Sequence, residues 1–152
     1  MSLHLFLLFL HLIAVAIWIG GMFFALCCLR PAVTQVLEPQ QRLSLLHAAL
    51  GRFFRYVAIA IAVILASGLV MMAHIGFADV PRGWHWMLAG GIAMMLIFGH
   101  IYGAGYRRLG RAVKAGDWVV AAMAMNGIRR LVVINLVLGI VTIAFAIFGS
   151  AF

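Results

Sequence analysis

The chain has 152 residues, of which 67% are hydrophobic and 9% charged, with a formal net charge of +8 and a mean hydropathy of +1.19. A soluble domain carries about 45–50% apolar and about 25% charged residues, and one of this length could not bury so much apolar surface in a single small core. A soluble enzyme, a disordered chain and a secreted disulfide scaffold are thereby excluded, and lipid is the expected solvent for most of the protein.

Four apolar segments follow in chain order, each near or above the roughly 20 residues needed to cross a bilayer. The first runs from Ser2 to Leu29 without a formally charged residue, the second from about Tyr56 to Ile75, the third from about Trp84 to Tyr106 and the fourth from about Leu131 to Gly149. Backbone groups in hydrocarbon must be satisfied within the segment, and these runs lack the alternation of barrel strands, so each is predicted to be a helix. The first run has no basic start and no clear small-residue cleavage site and is long for a signal peptide, so it is expected to remain as a structural helix. Between spans one and two, Pro39 through Leu50 reads as a short helix with Leu43, Leu46 and Leu50 on one side, lying on the membrane surface or extending span two. The connection from Arg107 to Arg130 contains an apolar stretch, Trp118 to Met125, that also reads as helical. No repeat, low-complexity tract or linker divides the chain. The expectation is one domain over residues 1–152, an all-α integral membrane four-helix bundle.

The basic residues sit at the ends of the apolar runs. Arg30, Arg42, Arg52 and Arg55 flank the first connection, and Arg107, Arg108, Arg111, Lys114, Arg129 and Arg130 lie in the third. The second connection holds Arg82 alone, and the termini hold none. Ten against one predicts that connections one and three are cytoplasmic and both termini periplasmic, in a bacterial inner membrane. The partner implied by this charge is the lipid bilayer and its anionic surface, not nucleic acid. Cys27 and Cys28 are adjacent and form no disulfide framework. Near the cytoplasmic end of span one they would stay reduced and pack as small apolar groups, with Cu(I) exchange the sharper alternative.

Polar side chains inside a span are costly and face the bundle interior or mark a site. In span one His4, His11 and Trp18 share a face, and in span two Ser67, Met71 and His74 do so at i, i+4 and i+7. Span four offers Asn135, Gly139 and Thr142. Counting inward from Arg30 and Arg55 at 1.5 Å per residue puts both His11 and His74 roughly 28 Å above the cytoplasmic edge. Met71, Met87 and His85 come out at roughly 24, 30 and 33 Å, whereas His100, near Arg107, is only about 10 Å up. His11, Met71, His74, His85 and Met87 therefore form a candidate metal layer, since imidazole and thioether donors together suit Cu(I) and imidazole alone also serves haem iron. His11 and His74 are expected to face inward, with Asn135, and to approach closely enough to share a ligand. The bland alternatives are methionine as core filler and histidine that reaches to water; for His85, between Trp84 and Trp86, an interfacial aromatic belt is the more natural setting. Gly99-x-x-x-Gly103 and Ala16-x-x-x-Gly20 are expected to allow close helix packing, within the bundle or in a homo-oligomer. No Ser-His-Asp set, carboxylate pair or phosphate loop is present.

The segment HLIAVAIWIGGMFF, His11 through Phe24, resembles the first helix of the copper-resistance protein D (CopD) superfamily, with its early histidine followed by Trp-x-Gly-Gly. Leu29-Arg30-Pro31, the RFFRY stretch at the start of span two and Ser67-Gly68 are also similar to short CopD-type proteins. The resemblance implies copper binding, transport or resistance at the inner membrane, with a periplasmic copper donor. The chain is also similar, more distantly, to HemJ-type protoporphyrinogen oxidases: His100-Ile101-Tyr102 followed by Arg107-Arg108 looks like the end of their third helix. That likeness implies a haem b-dependent membrane oxidoreductase using His11, His74 or His100. The lysine and the Asn-Glu-x-Pro of that family are absent, with Met87 to Ala89 and Asn126-Gly127-Ile128-Arg129 at the corresponding places. A third reading is an accessory subunit without chemistry of its own.

Overall fold

A computed structural model describes residues 3–149; Ser2, the expected first residue of span one, lies outside them. Every regular element among the described residues is helical. Four helices are long and apolar enough to cross a membrane: α1 Leu3–Val36, α2 Pro39–Ile75, α3 Arg82–Ala115 and α4 Trp118–Phe148. The two basic connections, expected to run from Arg30 to Arg55 and from Arg107 to Arg130 with helical stretches inside them, are instead tight turns. Pro39 through Leu50 is the first third of α2, so the extension is realised and the surface-lying helix is not. Trp118 to Met125 is likewise the first part of α4.

Local chemistry explains where the helices stop. Leu37 and Glu38 are extended, and Pro39 occupies the start of α2, where its missing N–H removes nothing. Gly116 adopts a left-handed φ of +70° and its N–H reaches back to Ala112 and Val113, ending α3. Asp117 then caps α4, its Oδ1 accepting the Val120 N–H at 3.0 Å, a contribution of about 1 kcal/mol. At the opposite end Gly76, with φ of +100°, terminates α2. The short loop that follows is held by His85, whose Nε2–H donates to the Phe77 carbonyl at 3.0 Å.

The helices pair as two antiparallel hairpins, α1 with α2 and α3 with α4, and the hairpins meet mainly through α4 against α1 and α2. Their connections put all ten basic residues of the first and third segments at one end of the bundle, called here the basic end. Large apolar side chains face outward along every helix, among them Phe9, Ile59, Leu96 and Ile140. In water that surface would drive aggregation; around a membrane span it is the lipid contact.

Both α1 and α3 contain one π-helical turn, Ala25–Leu29 and Ile101–Tyr106. The turn in α3 carries two of the rings of an aromatic row, Phe98, Tyr102 and Tyr106, stacked at 6.0 Å steps. Phe54 of α2 meets all three edge-on. This cluster fastens α2 to α3 in the half of the bundle nearer the basic end.

The expected small-residue contacts are placed differently. Ala16, Gly20, Gly99 and Gly103 are exposed, and a Cβ on any of the three glycines would meet nothing within 4 Å. Close approach is made instead at Gly139, where a Cβ would lie 2.8 Å from Ile19 and 3.0 Å from Met94, and at Gly90, which lies against Thr142.

Candidate functional site

Away from the basic end the helices border a partly open cavity of about 190 Å³. His11 and Trp18 of α1 line it, with Gly68 and Met72 of α2, Met87, Met94 and Met95 of α3, and Gly139 and Thr142 of α4. The wall is almost wholly apolar. Thr142 satisfies its own hydroxyl on the Leu138 carbonyl at 2.8 Å, which leaves His11 as the polar group with capacity to spare.

His11 is buried, and its Nδ1 lies 2.9 Å from Ser67 Oγ. Ser67 is buried too, and its hydroxyl donates to the Val63 carbonyl at 2.6 Å. When that proton goes to Val63, Ser67 Oγ accepts from His11 Nδ1–H, the tautomer in which Nε2 keeps its lone pair. This is how a metal-binding imidazole is oriented, by a bond to its far nitrogen. Gly68 makes the approach possible: a Cβ there would stand 3.3 Å from His11 Cε1.

The sequence-predicted residues divide sharply. His11 and Met87 line the cavity. Met71 is buried but is not among its lining residues. His74 is exposed, which corrects the expectation that it faces inward beside His11. It lies in the last turn of α2, two residues before Gly76, on a side that neighbouring helices leave uncovered. His85 is exposed and engaged with the loop backbone, His100 is exposed and not among the residues lining the cavity, and His4 is exposed. Asn135 is inward as expected, 1% exposed, with its Nδ2 3.9 Å from Met22 Sδ and its Oδ1 without a partner. Cys27 and Cys28 are free and exposed. Among the described residues no three of His, Cys, Asp or Glu gather into a metal-binding group.

Met72, Met94 and Met95 were not singled out by the sequence. The face of α2 that meets the cavity, Ile64, Leu65, Gly68, Leu69 and Met72, is turned by one residue from the Ser67–Met71–His74 face. The available signal was Gly68 itself, the gap in α2 that admits the imidazole.

The arrangement suits a soft monovalent metal: one neutral imidazole nitrogen and thioether sulfurs in a water-poor space. It does not suit haem b between two histidines, because among the described residues His11 is the sole imidazole on the cavity. At about 190 Å³ the space is also below the roughly 300–1,000 Å³ of ordinary small-molecule sites.

The family model for copper resistance protein D matches residues 47–148, two thirds of the chain. The chain belongs to the copper resistance protein D family. The match begins after α1, so the CopD assignment stands on α2, α3 and α4, independently of the His11 motif. No curated protein and no solved structure matches the chain. Membership and the four spans make this CopD protein a multi-pass inner-membrane protein.

Proposed function

We propose that this CopD family protein handles Cu(I) as cargo, holding it in the intramembrane cavity through His11 Nε2 and thioether sulfurs drawn from Met72, Met87, Met94 and Met95. The observation that carries the reading is the buried contact of His11 Nδ1 with Ser67 Oγ at 2.9 Å, which engages one ring nitrogen and leaves Nε2 for a ligand on a cavity lined by four methionines. Softness matches: thioether and imidazole donors favour Cu(I) over the hard ions that carboxylates and waters select. X-ray absorption at the copper edge of Cu(I)-loaded protein should give sulfur scatterers together with nitrogen. A first shell of nitrogen and oxygen alone would sink the proposal.

The same reading puts the basic end in the cytoplasm, following the ten-to-one distribution of Lys and Arg. The cavity then lies toward the periplasm, where a copper donor would deliver the ion. Single cysteines introduced at Ala115 and Gly116 in a background lacking Cys27 and Cys28 should react with a membrane-impermeant thiol reagent only after the cells are opened. Labelling in intact spheroplasts would reverse the orientation and the direction of copper entry.

A further inference from the structure

The basic end carries a second concavity that the copper reading does not use. It is a groove of about 790 Å³ between α2 and α3, and Arg107, Arg108, Arg111 and Lys114 line it, with His47 on the facing helix. We propose that this groove binds the phosphate headgroup of an anionic phospholipid.

Four cations within two turns of one helix repel one another unless something neutralises them. Among the described residues no carboxylate does: Asp117 is occupied as the cap of α4, and Glu38 is not among the residues lining the groove. All four side chains are exposed, while the backbone that carries them is rigid helix anchored by Leu109 and Ala112 in the core. Guanidinium groups match phosphate oxygens in pairs, and an ammonium supplies a further point charge. His47 is fixed on the far wall, stacked on Tyr106 at 4.9 Å, with the Tyr106 hydroxyl donating to its carbonyl. Gly110 keeps the floor clear, since a Cβ there would stand 2.9 Å from His47 Nε2.

A lipid, not a free phosphate, is indicated by what lies beneath the groove. Gly103 lines it, and Gly99, one turn deeper on the same outward face, has open space where a side chain would be. Leu96, 71% exposed, continues that face into the hydrocarbon. A headgroup in the groove would therefore place its acyl chains along a shallow furrow of α3.

The test uses the intact protein in detergent, titrated with phosphatidylglycerol or phosphatidylcholine and read by native mass spectrometry. Wild type should retain phosphatidylglycerol in preference to phosphatidylcholine. R107Q/R111Q should bind phosphatidylglycerol about 25-fold more weakly, the product of about fivefold for each charge. R52Q/R55Q removes the same charge from exposed positions outside the groove and should bind like wild type. Equal losses in the two variants would reduce the effect to general surface charge and overturn the site. Displacement of the lipid by millimolar inorganic phosphate would overturn the lipid assignment and make the groove a soluble-anion site.

Discussion

Purified His11→Ala protein is expected to lose Cu(I) affinity by more than about 100-fold in competition with a colorimetric Cu(I) chelator. Altering an outer-shell partner alone typically costs 10–100-fold, and His11 is the ligand itself. Ser67→Ala belongs in that smaller range, because the imidazole stays in place but loses the bond that sets its tautomer. His74→Ala and His100→Ala should bind copper as wild type does, since both side chains are exposed and absent from the cavity. Met94→Leu tests the thioether separately. It conserves apolar volume, a change that usually costs less than about 1.5 kcal/mol, while removing a sulfur from the cavity wall. Wild-type affinity in a folded His11→Ala protein would end the copper proposal at this cavity.

Phe54→Ala is expected to lower the stability of the bundle by about 3 kcal/mol. Phe54 is 3% exposed, and its ring meets Phe98 at 5.6 Å, Tyr106 at 5.4 Å and Tyr102 at 6.1 Å. Edge-to-face pairs of this kind contribute about 0.5–1.5 kcal/mol each beyond their burial. The lower part of the Phe→Ala range applies because chains unfolded in a micelle keep much of the transfer gain, so lost packing dominates. Thermal unfolding in detergent should show the drop. Copper affinity measured below the transition should be unchanged, because Phe54 does not line the cavity. A variant that melts with wild type would mean that the aromatic cluster does not fasten α2 to α3.

Hydropathy and charge are properties that each residue carries without needing a partner. Four spans, a lipid environment and one end rich in arginine could therefore be read from composition and order alone. The early His11 and the Trp-x-Gly-Gly stretch were legible for the same reason: an imidazole in a run otherwise without charge must be explained. Which face of each helix turns inward was a different matter. In a soluble helix the polar side marks the solvent, but here lipid and core are equally apolar, so periodicity carries little inward signal. The reading that grouped His74 and Met71 with His11 followed helical spacing, and Ser67 of that face does meet His11, but the face that lines the cavity is turned by one residue, through Gly68 and Met72. The choice was made by packing: Gly68 leaves the gap in which His11 sits, Gly139 brings α4 against Ile19 and Met94, and these contacts turn Met72, Met94 and Met95 toward the imidazole. His74 is left exposed in the last turn of α2. The turn lengths were likewise beyond periodicity, because a charged surface segment and a helix running on into water share one pattern. Pro39, Gly116 and Asp117 mark where the helices begin and end, but only the pairing of α1 with α2 and α3 with α4 makes continuous helix on both sides of each turn the stable outcome.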